Sequence, residues 1–149
     1  MKYSEAKQGR TFVIRLEHGD IVHEKIENFA KEKNIVAASV TIVGGVDKGS
    51  TLVVGPEKGD SIPISPMTIK LDNVYEVTGT GTVFPDEEGK PMLHMHIACG
   101  REDKCFVGCI RKGVKTWNLL EVIILEIIDT KSYREFNKDF GFHLLQPKD

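Results

Sequence analysis

Apolar and polar residues alternate from Thr11 to Glu17, with Phe12, Ile14 and Leu16 on one side, the period of a half-buried strand. Gly19-Asp20 interrupts the alternation, and Asp20 reads as a helix N-cap. From Ile21 to Lys33 the apolar set Ile21, Val22, Ile26, Phe29 and Ala30 follows helical spacing, and Asn34 is suited to stop it. Ile35 to Val46 is rich in β-branched and small residues and ends at Gly44-Gly45, as in a buried strand that bends or lies close to another backbone. Asp47-Lys48-Gly49 turns into a short strand from Thr51 to Gly55, and the proline-bearing stretch Pro56 to Pro66 reads as edge strand and loop. Strands are then expected at Met67 to Leu71 and Val74 to Phe84, followed by a turn from Pro85 to Pro91 and strands at Met92 to Cys99 and Cys105 to Ile110. After the turn Arg111-Lys112-Gly113, the β-branched run Val114 to Ile128 is long enough for a strand to require a bend or bulge. The tail, Tyr133 to Leu145, carries aromatics that can dock on the core. One helix against seven or eight strands predicts an α+β domain built on a mostly antiparallel sheet.

Within the Met92 to Cys99 strand stands His94-Met95-His96. Side chains at i and i+2 of a strand share a face, so the two imidazoles can converge on one ion. If Gly100 and Cys105 close a hairpin around Arg101 to Lys104, paired positions sum to 205, and Cys109 lies directly opposite His96. Two imidazoles and a thiolate on one face form a good ligand set for Zn²⁺. A five-residue loop centred on Glu102 would shift the pairing by one and turn Cys109 to the other face.

Composition narrows the function classes. The chain has 149 residues, 40% of them hydrophobic, which is enough for one domain with a proper core and too few for a second. Its net charge of −2, without blocks of like charge, argues against strong electrostatic capture of nucleic acid by the isolated chain. Cys99, Cys105 and Cys109 are odd in number and lack the spacing of a disulfide framework, so they read as thiols or metal ligands. Met1 to Arg10 is polar, unlike a signal peptide, and no run reaches the ~18 apolar residues of a membrane span, so a cytoplasmic protein is expected.

Several segments, in this order, resemble the plant- and prokaryote-conserved (PPC) domain: Arg15-Leu16-Glu17-His18-Gly19-Asp20, Ile42-Val43-Gly44-Gly45-Val46, and Tyr75-Glu76-Val77-Thr78-Gly79-Thr80-Gly81. Leu93-His94-Met95-His96-Ile97-Ala98, Val107-Gly108-Cys109-Ile110 and Glu121-Val122 follow. The resemblance spans roughly Gly9 to Leu145 and implies a single domain with a sheet of about seven strands, flanking helices and assembly as a homotrimer. Many prokaryotic members read Gly-Gly-His-Leu where this chain has Val107-Gly108-Cys109-Ile110, so Cys109 stands where a third histidine is usual. Such an exchange keeps a zinc ligand while softening it. Plant members carry an AT-hook and a Gly-Arg-Phe-Glu-Ile segment. This chain has no hook, and Asn73-Val74-Tyr75-Glu76-Val77 lacks the arginine.

Each candidate has a plainer alternative. His94 and His96 can be hydrogen-bonded histidines on a half-buried strand, and Cys109 a small core residue. Glu76, an acid in an apolar strand, can serve a metal or its water as general base, or pair with a lysine such as Lys70. Cys99 and Cys105 are expected to pack, and His18, His23 and His143 to lie at the surface. Gly79 and Gly81 suit close backbone packing, since no helix follows them to make a phosphate-binding loop. Three functions are consistent with this reading: a zinc-binding homotrimer with a binding or regulatory role, a zinc enzyme using metal-activated water, and a DNA-binding regulator by analogy with the plant members.

Overall fold

The computed structural model describes residues 1–62 and 64–148; Pro63 and Asp149 lie outside them. Ten strands and one helix follow in the order β1 (Lys7–Glu17), α1 (Val22–Glu32), β2 (Ala37–Val46), β3 (Thr51–Pro56), β4 (Pro66–Lys70) and β5 (Tyr75–Pro85). After these come β6 (Pro91–Arg101), β7 (Lys104–Cys109), β8 (Thr116–Ile128), β9 (Tyr133–Asn137) and β10 (Phe142–Gln146). Eight strands form one antiparallel sheet in the order β1-β8-β2-β5-β6-β7-β3-β4, and β9 and β10 pair separately.

Cross-strand partners share a face, so the register divides the sheet cleanly. One row reads Ile14, Val122, Ile42, Gly79, Ile97, Gly108. This is the core face, where Ile42, Ile97 and Val122 are almost fully buried together with Val22, Ile26 and Ala30 of α1. Each such aliphatic side chain contributes about 1.5–3 kcal/mol by leaving water. The neighbouring row, on the opposite face, reads Val13, Ile123, Thr41, Thr80, His96, Cys109, Val53. That face is more open: Val13 is 80% exposed, Val43 53% and Val107 59%.

Two glycines show how the sheet takes its shape. The bulge expected in the long strand occurs where the β2 register passes from Gly44↔Leu120 to Gly45↔Trp117, with Asn118 at φ 57. Gly44 has φ 148, and a Cβ there would stand 2.6 Å from the Leu119 carbonyl oxygen, so the bulge needs glycine. At Gly81 a Cβ would meet Met95 Cβ at 2.5 Å and the His94 carbonyl oxygen at 2.6 Å, which fits the close packing expected of this position.

Two expectations need correction. The sheet has eight strands where about seven were expected, and α1 is the single helix among the described residues, so flanking helices in the plural are absent from them. Asp20 is not the N-cap: Ile21 holds that position without a side-chain cap. The Asp20 carboxylate instead accepts from the Glu17 N–H at 3.0 Å and pairs with Lys25, locking the turn that leads into the helix. The aromatic tail forms the β9–β10 hairpin, with Phe140 stacked on Phe142. Asn34, at φ 54, ends the helix as its sequence suggested.

Candidate metal centre

The site grows out of the β6–β7 hairpin. Pairing runs from His96↔Cys109 through Gly100↔Cys105 to Arg101↔Lys104, so the sum of 205 holds and Glu102-Asp103 form a tight turn with Glu102 at φ 55. The register shifted by one is therefore excluded. Met95, Ile97 and Cys99 point into the core at 1% exposure or less, which turns His94 and His96 to the open face.

His94, His96 and Cys109 bring one ligand atom each within 4.8 Å of one another. The two Nε2 atoms are 3.2 Å apart, and the rings stand at 78°. Two nitrogens bound tetrahedrally to one zinc at ~2.05 Å would lie about 3.3 Å apart, so the imidazoles are already spaced for a shared ion. Bringing Sγ to the same ion calls for movement on the order of 1 Å at most.

The surroundings favour ligation. Burial first, then the positive charges of Arg134, Arg111 and His96, drive His94 down to about 4, so it is neutral and ligand-ready at neutral pH. Arg111 Nε donates to Cys109 Sγ at 3.3 Å, a contact that orients the sulfur. Cys109 is buried, His94 half-buried and His96 exposed, so the site opens towards solvent on the histidine side.

The other sequence candidates lie elsewhere. Glu76 shares the face of His96 but pairs with Gly100, whereas His96 pairs with Thr80; four residues at ~3.3 Å each set them about 13 Å apart along the sheet. It is exposed, and no ion pair joins it to Lys70. Cys99 sits in the core with its thiol pushed up to about 12, chiefly by burial, while Cys105 is exposed and not the packing residue expected. His18 Nδ1 accepts from the Asn118 N–H at 3.3 Å.

Sequence reasoning missed the cavity beside His94. It measures about 200 Å³, and its lining includes His23, Arg111, Arg134 and His143. Arg134 is 3% exposed and sits over the Phe84 ring. Burial, and secondly the like charge of Arg111, lower its affinity for a proton. A hydropathy pattern cannot reveal a buried arginine, although the inward phase of Arg134 in the alternating tail was available as a weak signal.

Known structures share this architecture. A metal-containing protein from Archaeoglobus fulgidus matches with a TM-score of 0.81 at 25% identity, over 98% of this chain and 99% of its own. A plant- and prokaryote-conserved (PPC) protein from Pyrococcus horikoshii matches with a TM-score of 0.83 at 24% identity, over 100% and 99%. A candidate DNA-binding protein from Bacteroides thetaiotaomicron matches with a TM-score of 0.70 at 18% identity, over 95% and 96%. Comparison with curated proteins finds no match. The model of the Plants and Prokaryotes Conserved (PCC) domain matches residues 3–128, so the fold, the glycine-flanked strand and the histidine pair meet in one conclusion: this chain belongs to that family.

Proposed function

We propose that this protein is a metal-binding, homotrimeric PPC-domain protein in which His94, His96 and Cys109 hold one zinc ion per chain. The convergence of the three ligand atoms within 4.8 Å carries the reading. A soft sulfur beside two imidazoles favours zinc over magnesium or calcium. When bound, the ion supplies a Lewis-acidic centre with a position left over for an exogenous ligand. The metal-containing A. fulgidus relative supports the assignment by likeness. The role we assign is binding or regulation. Glu76, the general base an enzymatic reading would use, stands about 13 Å from the ligands within the chain.

The open sheet face supports the assembly proposed. Val13, Val43 and Val107 are exposed there, and further copies of the chain would cover them and the sheet edges. Light scattering at the trimer mass is expected, and the monomer mass of 16.6 kDa would refute it. For the metal, elemental analysis should give about one zinc per chain, falling sharply in His94→Ala and holding in His143→Ala. Equal occupancy in both variants would remove the assignment. The B. thetaiotaomicron relative motivates a second reading, DNA binding, which requires an affinity that falls steeply with salt. Absence of binding at low salt would end it.

A further inference from the structure

We propose that the cavity beside the metal centre is a subsite for a small oxyanion, a carboxylate or phosphate group clasped between Arg111 and Arg134. The cavity lies where β7 stops at Cys109 while β6 extends back to Pro91, so Met92 to His94 pair with β5 on one side and have no strand partner on the β7 side. Glu27 of α1 takes up the Leu93 N–H at that edge, at 2.9 Å. The Arg111 turn and β9 contribute the two guanidiniums.

Arg134 is the decisive residue. At 3% exposure it donates to the Thr82 Oγ1 at 2.8 Å and to the carbonyls of Thr82 at 3.3 Å and Met92 at 3.4 Å, all neutral acceptors. Among the described residues the side-chain hydrogen bond of Arg111 goes to the Cys109 sulfur. Among the described residues neither guanidinium has a carboxylate partner. Arg10 shows the usual arrangement in this same protein, with two bonds of 2.7 and 2.6 Å to the Glu126 carboxylate. A buried cation left without an anion is costly, and the like charge of the exposed Arg111 on the same cavity adds to the cost at Arg134.

No nearby acid pairs with either arginine among the described residues. Glu27 also lines the cavity, and its carboxylate accepts from the Leu93 N–H at 2.9 Å without forming an ion pair with Arg111 or Arg134, while Glu87 accepts from the Phe136 N–H at 2.6 Å and lies 3.7 Å from His143. His23, which also lines the cavity, has a buried Nδ1 without a hydrogen-bond partner. Two guanidinium forks and an orphaned imidazole nitrogen match the several oxygens of a carboxylate or phosphate. A volume of about 200 Å³ holds roughly seven waters at ~30 Å³ each, so the occupant is a small molecule. Its anion would lie next to His94, close to the proposed ion, yet the arginines define this subsite whether or not the ion is bound.

The test is calorimetric titration of inorganic phosphate and of malonate into the full chain at low ionic strength, once metal-stripped and once zinc-loaded. At least one anion should bind saturably to the stripped protein, and preference between the two assigns the oxyanion. Arg111→Ala, a change at an exposed position, should weaken binding about tenfold or more, while Lys112→Ala leaves it unchanged. Arg134→Lys should weaken it too, because an ammonium lacks the fork. Failure of both anions to bind at millimolar concentration, or unchanged affinity in Arg111→Ala, overturns the subsite. Zinc binding without anion binding leaves the metal reading standing alone, and Arg111-dependent anion binding without zinc retention does the reverse.

Discussion

Gly81→Ala tests whether the close approach of β5 and β6 positions the histidines. The added methyl would sit 2.5 Å from Met95 Cβ, 2.6 Å from the His94 carbonyl oxygen and 2.7 Å from Met95 Cα. Carbon atoms rest at about 3.5–4.0 Å, so relief demands a shift of about 1 Å, and two of the three obstacles are backbone that no rotamer change moves. Overpacking of this kind costs about 1–3 kcal/mol, outweighing the ~0.4–1 kcal/mol that alanine gains by restricting the unfolded chain. The net loss centres on about 1.3 kcal/mol, so at ~2–4 °C per kcal/mol for a chain of this size the melting temperature should fall by about 3–5 °C. The strain falls on His94-Met95, so zinc retention should fall with it. Gly55→Ala, where a Cβ meets nothing within 4 Å, is the control. Melting followed by circular dichroism, with metal analysis of the same samples, decides the matter. A Gly81→Ala protein that melts with the wild type and keeps its zinc would refute the reasoning.

Further outcomes follow from the same geometry. The Arg10 side chain, and then its backbone N–H, hold Glu126 at about 2 against an ordinary 4.5. Between those values the unfolded chain binds the extra proton, so this stabilisation is full above about pH 4.5 and is lost as pH falls towards 2. Glu126→Gln should flatten the acid limb of a urea-stability profile across that window. His94, at about 4 against 6.5, makes the metal-free protein lose stability as pH falls from 6.5 towards 4, and zinc should leave over the same range. Denaturation curves that do not change between those two pH values would contradict its buried, neutral state. Cys109→His should retain zinc, Cys109→Ser should weaken it, and Cys99→Ser should leave it bound. Alkylation of Cys109 should accelerate once a chelator strips the ion; equal rates with and without chelator while zinc stays bound would exclude the sulfur as a ligand.

The hairpin register was legible because strand pairing is arithmetic: once Gly100 faces Cys105, His96 must face Cys109. The β8 bulge was legible too, since a long β-branched run beside Gly44-Gly45 cannot stay regular. Asp20 misled because its type suits a cap equally well, and only the fold shows its carboxylate engaged by Glu17 and Lys25. The arginine cavity was hidden for another reason. His23, Arg111 and Arg134 come from three distant segments, and Arg134 reaches Met92 across 42 positions, a relation that no local periodicity encodes. Glu76 shared the right strand and face, but its four-residue offset from the His96 row appears only when the pairing is counted out.

X-ray absorption at the zinc edge, on protein carrying one zinc per chain, tests the central claim most directly. The account predicts one sulfur at ~2.3 Å and imidazole nitrogens at ~2.0–2.1 Å, with the sulfur replaced by nitrogen or oxygen in Cys109→His. A wild-type shell of nitrogen and oxygen alone, or a chain that retains no zinc, would contradict it.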